Sequence, residues 1–300
     1  MVEITSRTLE GRHFLHPDPW MAPLVVGVLA RAQRKYGVSL HTFVFLSNHF
    51  HLLATFQDAR QESLFMAFVK AQLAKRIRRI RGHTGEVVWG NRYSSVLVSP
   101  EPQAQTARLL YHLRQGVKEG LVADPLDWPG PSSWRAMLTG APLVGYWLPL
   151  SALHLDCPPD FSSPKAEEEH LVLTPLPAWS HLPEAVRQQN LLDLLEVVRS
   201  EGEQQLATSR TTDPVRLAPL DLRPRPAPKR SGFLPLVHAF SRRVRQLFER
   251  AYREFVRAYR KAADALKKGI PGVAFPEGSF PRPAPFIPYA RAGLRADPIR

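Results

Sequence analysis

Cysteine is all but missing from this chain: Cys157 is the one thiol in 300 residues. That excludes an internal disulfide framework and a cysteine-based zinc site, and it suits a reducing compartment. No apolar run approaches the roughly 20 residues that a bilayer-spanning helix needs. The opening stretch, Met1 to Phe14, lacks the continuous apolar core of a signal peptide. No internal repeat is visible. Acidic side chains are also scarce, 27 against 40 Lys and Arg, which leaves a formal net charge of +13 and a pI of about 10.3. Such an excess points to an acidic partner, nucleic acid first and an anionic membrane surface second. With 44% hydrophobic residues the chain is not wholly disordered and is long enough for two domains. The expectation is a soluble, cytoplasmic (nucleoid-associated) protein with no membrane partner.

What is present is an alternation of strand and helix patterns over residues 1–145. "VEITSRT" alternates as a short strand does. Asp18-Pro19 reads as an N-cap and first turn, apolar residues follow at helical spacing from Met21, and Gly37 stops the helix. "SLHTFVFL" and "HFHLLATF" read as strands joined by a tight turn at Ser47-Asn48. A long helix is expected from Ala59 to Arg81, with Lys70, Arg76 and Arg79 on its basic flank. "EVVWGNRYSSVLVS" reads as a strand bent at Gly90, and a helix opening at Ser99-Pro100-Glu101 runs towards Gly116 or Gly120. The order βαββαβ plus a helix is the ferredoxin-like split βαβ pattern: α+β, an antiparallel sheet with helices on one face and the other face free.

Beyond this region proline becomes frequent. Residues 146–230 read as a Pro-rich linker containing one helix, Glu184 to Glu201, and residues 231–300 as a basic amphipathic helix and a Pro/Phe-rich tail. That last helix is expected from Val237 to Lys268, with aromatic and aliphatic residues on one side and arginines on the other. It reads as a helix packed on its own protein with a solvated charged face, or as a further nucleic-acid contact or oligomer seam.

Two features carry chemistry. In "FLSNHFHLLATF" a strand would put His49 and His51 on one face and Phe50 on the other, so two imidazoles converge as a metal site on a sheet requires. Alone, such a pair is more often two ordinary histidines on a half-exposed strand. In "QTARLLYHLRQGVKEGLV", Arg108, Tyr111, Gln115 and Lys118 fall on one helical stripe beside the buried one, with Tyr111 and Gln115 a turn apart.

Together, "LSNHFHLL", "VVWGNRYSSVLV" and "YHLRQGVKEGLVADPLDWPGPSSW" resemble the REP-associated tyrosine transposases and related single-tyrosine HUH transposases of small insertion sequences. The matching positions are Asn48, His49, His51, Trp89, Arg92, Tyr93, Ser95, Tyr111, Gln115, Gly120, Leu121, Val122, Trp128, Ser132 and Ser133. The resemblance covers about residues 1–140. Ser47 stands where many relatives have proline, and Gln115-Gly116 where many have Asn-Pro; glutamine still offers an oxygen ligand, as in one branch of the family.

The resemblance implies an HUH endonuclease type of fold and a divalent ion, Mg²⁺ or Mn²⁺, held by His49, His51 and the Gln115 oxygen together with phosphate and water. It implies that Tyr111 is the nucleophile, forming a 5′-phosphotyrosine and a free 3′-hydroxyl. Because one phosphodiester replaces another, the step is reversible and needs no ATP. Single-stranded or hairpin DNA is the implied substrate, with Trp89 and Tyr93 stacking bases and Lys70, Arg76, Arg79, Arg92 and Arg108 meeting phosphates. A homodimer is left open. The alternatives are a non-catalytic nucleic-acid-binding regulator descended from a transposase, and a nuclease using water in place of Tyr111.

Overall fold

The structure, a computed structural model, describes residues 1–82, 87–208 and 235–279. The Pro-rich run at 214–230 and most of the Pro/Phe-rich tail lie outside the described residues.

Strand β1 (Val2–Arg7) leads to helix α1 (Met21–Tyr36), the hairpin β2 (Ser39–Leu46) and β3 (His49–Thr55), helix α2 (Ala59–Ile80) and strand β4 (Ser94–Val98). Then come α3 (Pro102–Leu113), the single turn α4 (Gln115–Lys118) and α5 (Trp134–Thr139). Next are β5 (Leu143–Trp147), β6 (Glu167–Leu171), α6 (Glu184–Thr208), the two-residue β7 (Val237–His238) and α7 (Arg242–Lys267). The architecture is α+β, with a five-stranded sheet in the order β2-β3-β1-β4-β7 and a separate β5-β6 pair. The first four strands of the large sheet are antiparallel to their neighbours, and β7 adds in parallel beside β4.

Local chemistry accounts for most boundaries. Asp58 caps α2, its side chain accepting from the Gln61 N–H at 2.7 Å. Gly37 ends α1 with φ at 64°, where a side chain would be strained. Asp18 does not cap α1 as expected. The helix starts at Met21, and the Asp18 carboxylate is taken by Arg81 at 2.7 Å and His16 at 3.0 Å.

Alternation along the strands sends side chains to two cores. Ile4, Phe43, Phe45, Phe50 and Leu52 pack under α1 and α2. Val44, Leu46, Leu53 and Val98 point the other way and are covered by Leu109 and Leu113 of α3 and Leu191, Leu195 and Val198 of α6. The second face is therefore not free. Trp128 and Ser133 staple the β2 edge, through Trp128 Nε1 donating to the Phe45 carbonyl at 3.0 Å and the Ser133 N–H to the Phe43 carbonyl at 3.0 Å.

Three further expectations fail. The strand expected over residues 86–99 is regular only at Ser94–Val98, with an isolated bridge from Trp89 to Thr8. Part of the segment expected to be a linker forms β6, which pairs with β5 at the end of the first expected domain, and both lie against α1. Their approach is so close that a Cβ on Gly27 would sit 2.2 Å from the Tyr146 carbonyl oxygen, and one on Gly145 2.3 Å from the Gly27 nitrogen. The last helix starts at Arg242, and the residues before it leave the helix to join the sheet as β7.

Candidate active site

His49 and His51 stand on the α3 side of the sheet, as the period of β3 requires, while Phe50 stacks on Phe45 in the opposite core at 4.7 Å. The two imidazole centroids are 5.2 Å apart. Above them runs α3, and the Tyr111 ring meets His51 edge to face at 5.5 Å. Arg108 lies 4.7 Å and Lys118 5.4 Å from the Tyr111 centroid, so a phosphate arriving there would meet two cations. Tyr111 is half-buried, whereas His49, His51 and Gln115 are buried.

The hydrogen bonds orient the donors. His49 Nδ1 is 2.6 Å from Asn48 Oδ1; with the amide oxygen accepting, the ring proton sits on Nδ1 and the Nε2 lone pair is left for a ligand. Gln115 donates its amide N–H to the Tyr111 carbonyl at 3.0 Å, and its side chain lies beside His49. Burial pushes the His49 ring down to about 3, helped by the charges of His51 and Arg7. His49 is therefore neutral near pH 7, the state a metal ligand needs. Two imidazoles and an amide oxygen fit a divalent ion that also takes phosphate and water.

Beneath this set lies a carboxylate that the sequence pattern did not bring forward. Glu3, 5% exposed, stands on β1 and faces the same way as Thr5, the register partner of His51. Its Oε1 is 3.1 Å from His112 Nε2 and 3.7 Å from His51 Nδ1; its Oε2 is 2.8 Å from His238 Nε2 and 3.4 Å from Arg108 Nη1. Burial opposes ionisation, but hydrogen bonds from His112 and His238, with His51 beside them, outweigh it and hold the carboxyl well below the usual carboxylate range. His112, fully buried, is pushed by burial down to about 4 despite the carboxylate beside it. The pair is thus an ionised carboxylate accepting from a neutral imidazole. Glu3, His51 and His112 also form a group whose ligand atoms lie within 4.8 Å of one another, a second set able to hold a metal. Since Thr5 Oγ1 already lies 3.0 Å from His51 Nδ1, hydroxyl and carboxylate together orient the ring so that its Nε2 points away from Glu3.

The structure thus brings His49, His51, Tyr111, Gln115 and Arg108 together. It does not bring the other expected nucleic-acid residues to them. Arg76 is a correction: it is 1% exposed, its guanidinium lies 3.6 Å from the Trp147 centroid, and it donates to the Leu148 carbonyl at 2.8 Å. Trp89 is another: it is buried against Phe50 at 5.5 Å with Nε1 donating to the Lys70 carbonyl at 2.8 Å, so neither face is offered to a base. Lys70 donates to the Asn91 carbonyl at 3.1 Å, and Arg79, exposed, to the Leu153 carbonyl at 2.5 Å. Arg92 is exposed and lies 5.9 Å from the half-buried Tyr93 ring. Because Trp89 sits on Phe50, it belongs to the sheet face opposite the two histidines.

No family model, curated protein or solved structure matches the chain.

Of the residues missed, Glu3 and Thr5 carried a signal: an acid and a hydroxyl at alternate positions of a strand whose other face starts with the apolar Val2 and Ile4. His238 carried none, since a two-residue strand has no pattern to read.

Proposed function

We propose that the chain is a single-tyrosine HUH-type DNA endonuclease and strand transferase. One observation carries the reading: the His-x-His pair of β3 and the Tyr111 and Gln115 side chains, separate in sequence, meet across one sheet face with two cations over the tyrosine. The order β2-β3-β1-β4, with helices after β1 and β3, supports a ferredoxin-like core of the HUH type.

His49, His51 and Gln115 would hold Mg²⁺ or Mn²⁺, which supplies Lewis-acid polarisation of the scissile phosphate. Tyr111 Oη attacks the phosphorus in line, giving up its proton to water. The bond from phosphorus to the 3′ oxygen breaks, the leaving oxygen takes a proton to become a free 3′-hydroxyl, and the 5′-phosphate stays on Tyr111. Arg108 and Lys118 place positive charge beside the reacting phosphate. Attack by another 3′-hydroxyl reverses the bond exchange and joins a new strand. A half-buried phenol reaches only a backbone that can bend to it, which favours single-stranded DNA beside a hairpin.

The test is an adduct assay. The protein is incubated with a labelled single-stranded hairpin from the DNA flanking its own gene, with Mn²⁺ or EDTA, and run on a denaturing gel. A metal-dependent covalent band is expected, abolished by Tyr111→Phe and weakened by His49→Ala. Cleavage that survives Tyr111→Phe without an adduct would replace this reading with a water-using nuclease.

A further inference from the structure

Helix α7 has no part in the site above, yet it holds a large share of the chain's charge. Between Arg242 and Lys268 there are ten Lys and Arg against three acidic residues, an excess of seven in a protein whose whole net charge is +13. The cations are not scattered. Arg243, Arg250 and Arg257 recur every seven residues, with Arg242, Arg253 and Arg260 beside them, so they share one face of a 3.6-residue helix. Among the described residues the ion pairs within α7 are Arg253 with Glu249 at 3.5 Å and Lys267 with Asp264 at 3.6 Å; Arg243, Arg250, Arg257 and Arg260 are exposed and form none.

We propose that α7 is a duplex-binding arm, its arginine face lying along the phosphates of double-stranded DNA. Length fits: 26 residues at about 1.5 Å each make a rod of about 39 Å, a little more than one turn of B-form duplex at about 34 Å. Placement fits too. Glu101, the N-cap of the Tyr111-bearing helix α3, accepts from the Phe240 N–H at 2.9 Å and the Ser241 N–H at 3.1 Å, and Ser241 caps α7. Both helices thus start from one residue. Between them opens a cleft of about 520 Å³ whose lining includes Arg108, His238 and Arg245. Arg108 is the same side chain that lies over Tyr111, so a strand leaving a duplex on α7 has a cationic path to the phenol.

A basic amphipathic helix can also bind a membrane surface, but it does so through its apolar face. Here that face is partly covered: Ala262 is buried and Phe275 folds back onto Tyr259 at 5.2 Å, while Leu247 and Tyr252 stay exposed. The arginine face is open to solvent along its whole length.

The inference rests on the proposed function for its choice of DNA among polyanions. The experiment uses the full chain and a variant in which Arg243, Arg250, Arg257 and Arg260 are all glutamine, with circular dichroism confirming equal helix content. Binding to a 20-base-pair duplex is followed by fluorescence anisotropy from 50 to 200 mM NaCl, beside a 20-nucleotide single strand and vesicles of anionic phosphatidylglycerol. The expected result is a duplex salt slope that falls by about 3.6 in the variant, about 0.9 for each phosphate that is no longer neutralised. The single-strand adduct at Tyr111 should persist in the variant. An unchanged duplex slope overturns the arm, as does vesicle binding that depends on the four arginines while duplex binding does not. Loss of slope with no adduct in either protein would sink the strand-transfer reading and leave the arm standing.

Discussion

Freed of metal, the protein should lose stability steeply between pH 7.5 and 5.5, because its site is built on imidazoles buried in the neutral state. Burial pushes His49 down to about 3 and His112 down to about 4; in the unfolded chain each returns to about 6.5. Between those values the unfolded chain binds protons that the folded one does not, so acid favours unfolding and stability rises with pH. At pH 5.5 an imidazole of pKa about 6.5 gains about 1.4 kcal/mol by protonating, so the two rings together cost the fold about 3 kcal/mol; at pH 7.5 the cost is about 0.1 kcal/mol. The figure requires only that the folded values lie well below 5.5. His41, hydrogen-bonded to the Thr174 carbonyl at 2.9 Å and also lowered by burial, adds to the loss. Glu62, raised by burial, works against it, and Glu3 joins only below its unfolded value near 4.5. Guanidinium unfolding in EDTA at the two pH values measures the difference. His112→Gln keeps an N–H for Glu3 but cannot titrate, so it should shrink the difference by about 1.4 kcal/mol. A wild-type difference under about 1 kcal/mol, or one untouched by the variant, would mean that these rings are not held neutral in the interior.

Two substitutions test the corrected roles of residues away from the site. Arg76→Ala should lower stability by about 2–4 kcal/mol in the same melts, by emptying the space against Trp147 and leaving the Leu148 carbonyl unpaired. It should leave the salt slope of DNA binding unchanged; a slope reduced by about 1 would mean that Arg76 meets phosphate after all. Gly27→Ala should cost about 3 kcal/mol or more, because the new Cβ meets backbone of β5 at 2.2 Å and no flexible side-chain end can yield. A melting temperature equal to that of the parent would show that β5 does not lie on α1 as described.

The parts of the site legible in the sequence are those set by a short period. Two residues per repeat put His49 and His51 on one face, and 3.6 per turn put Arg108, Tyr111, Gln115 and Lys118 on one stripe; both patterns are complete within a dozen residues. Glu3 and His238 reach the site by pairing between segments far apart in the chain, Thr5 opposite His51 and His238 beside Val98. No local pattern encodes such a pairing, and for β7 the helical rhythm that begins at Arg242 runs on backwards in the sequence as far as Val237.

Arg76 departs from expectation for a related reason, and it shows why charge on a helix face is a weak guide to partners. Counted along α2, Arg76 belongs to a basic flank that should face solvent. Yet that flank lies beside β5, whose Trp147 stacks on Phe68 at 6.0 Å and receives the Arg76 guanidinium on its ring. Strand β6 stands where proline-rich composition suggested a linker, and its partner β5 is held against α1 by a glycine-to-glycine approach invisible without the fold. On α7 the same kind of arginine pattern is left exposed, because no such second layer covers it among the described residues. Two basic helices with similar sequences of charge therefore differ: in α2 Arg76 closes the protein's own interior, and in α7 the arginines face outward, where a polyanion can reach them.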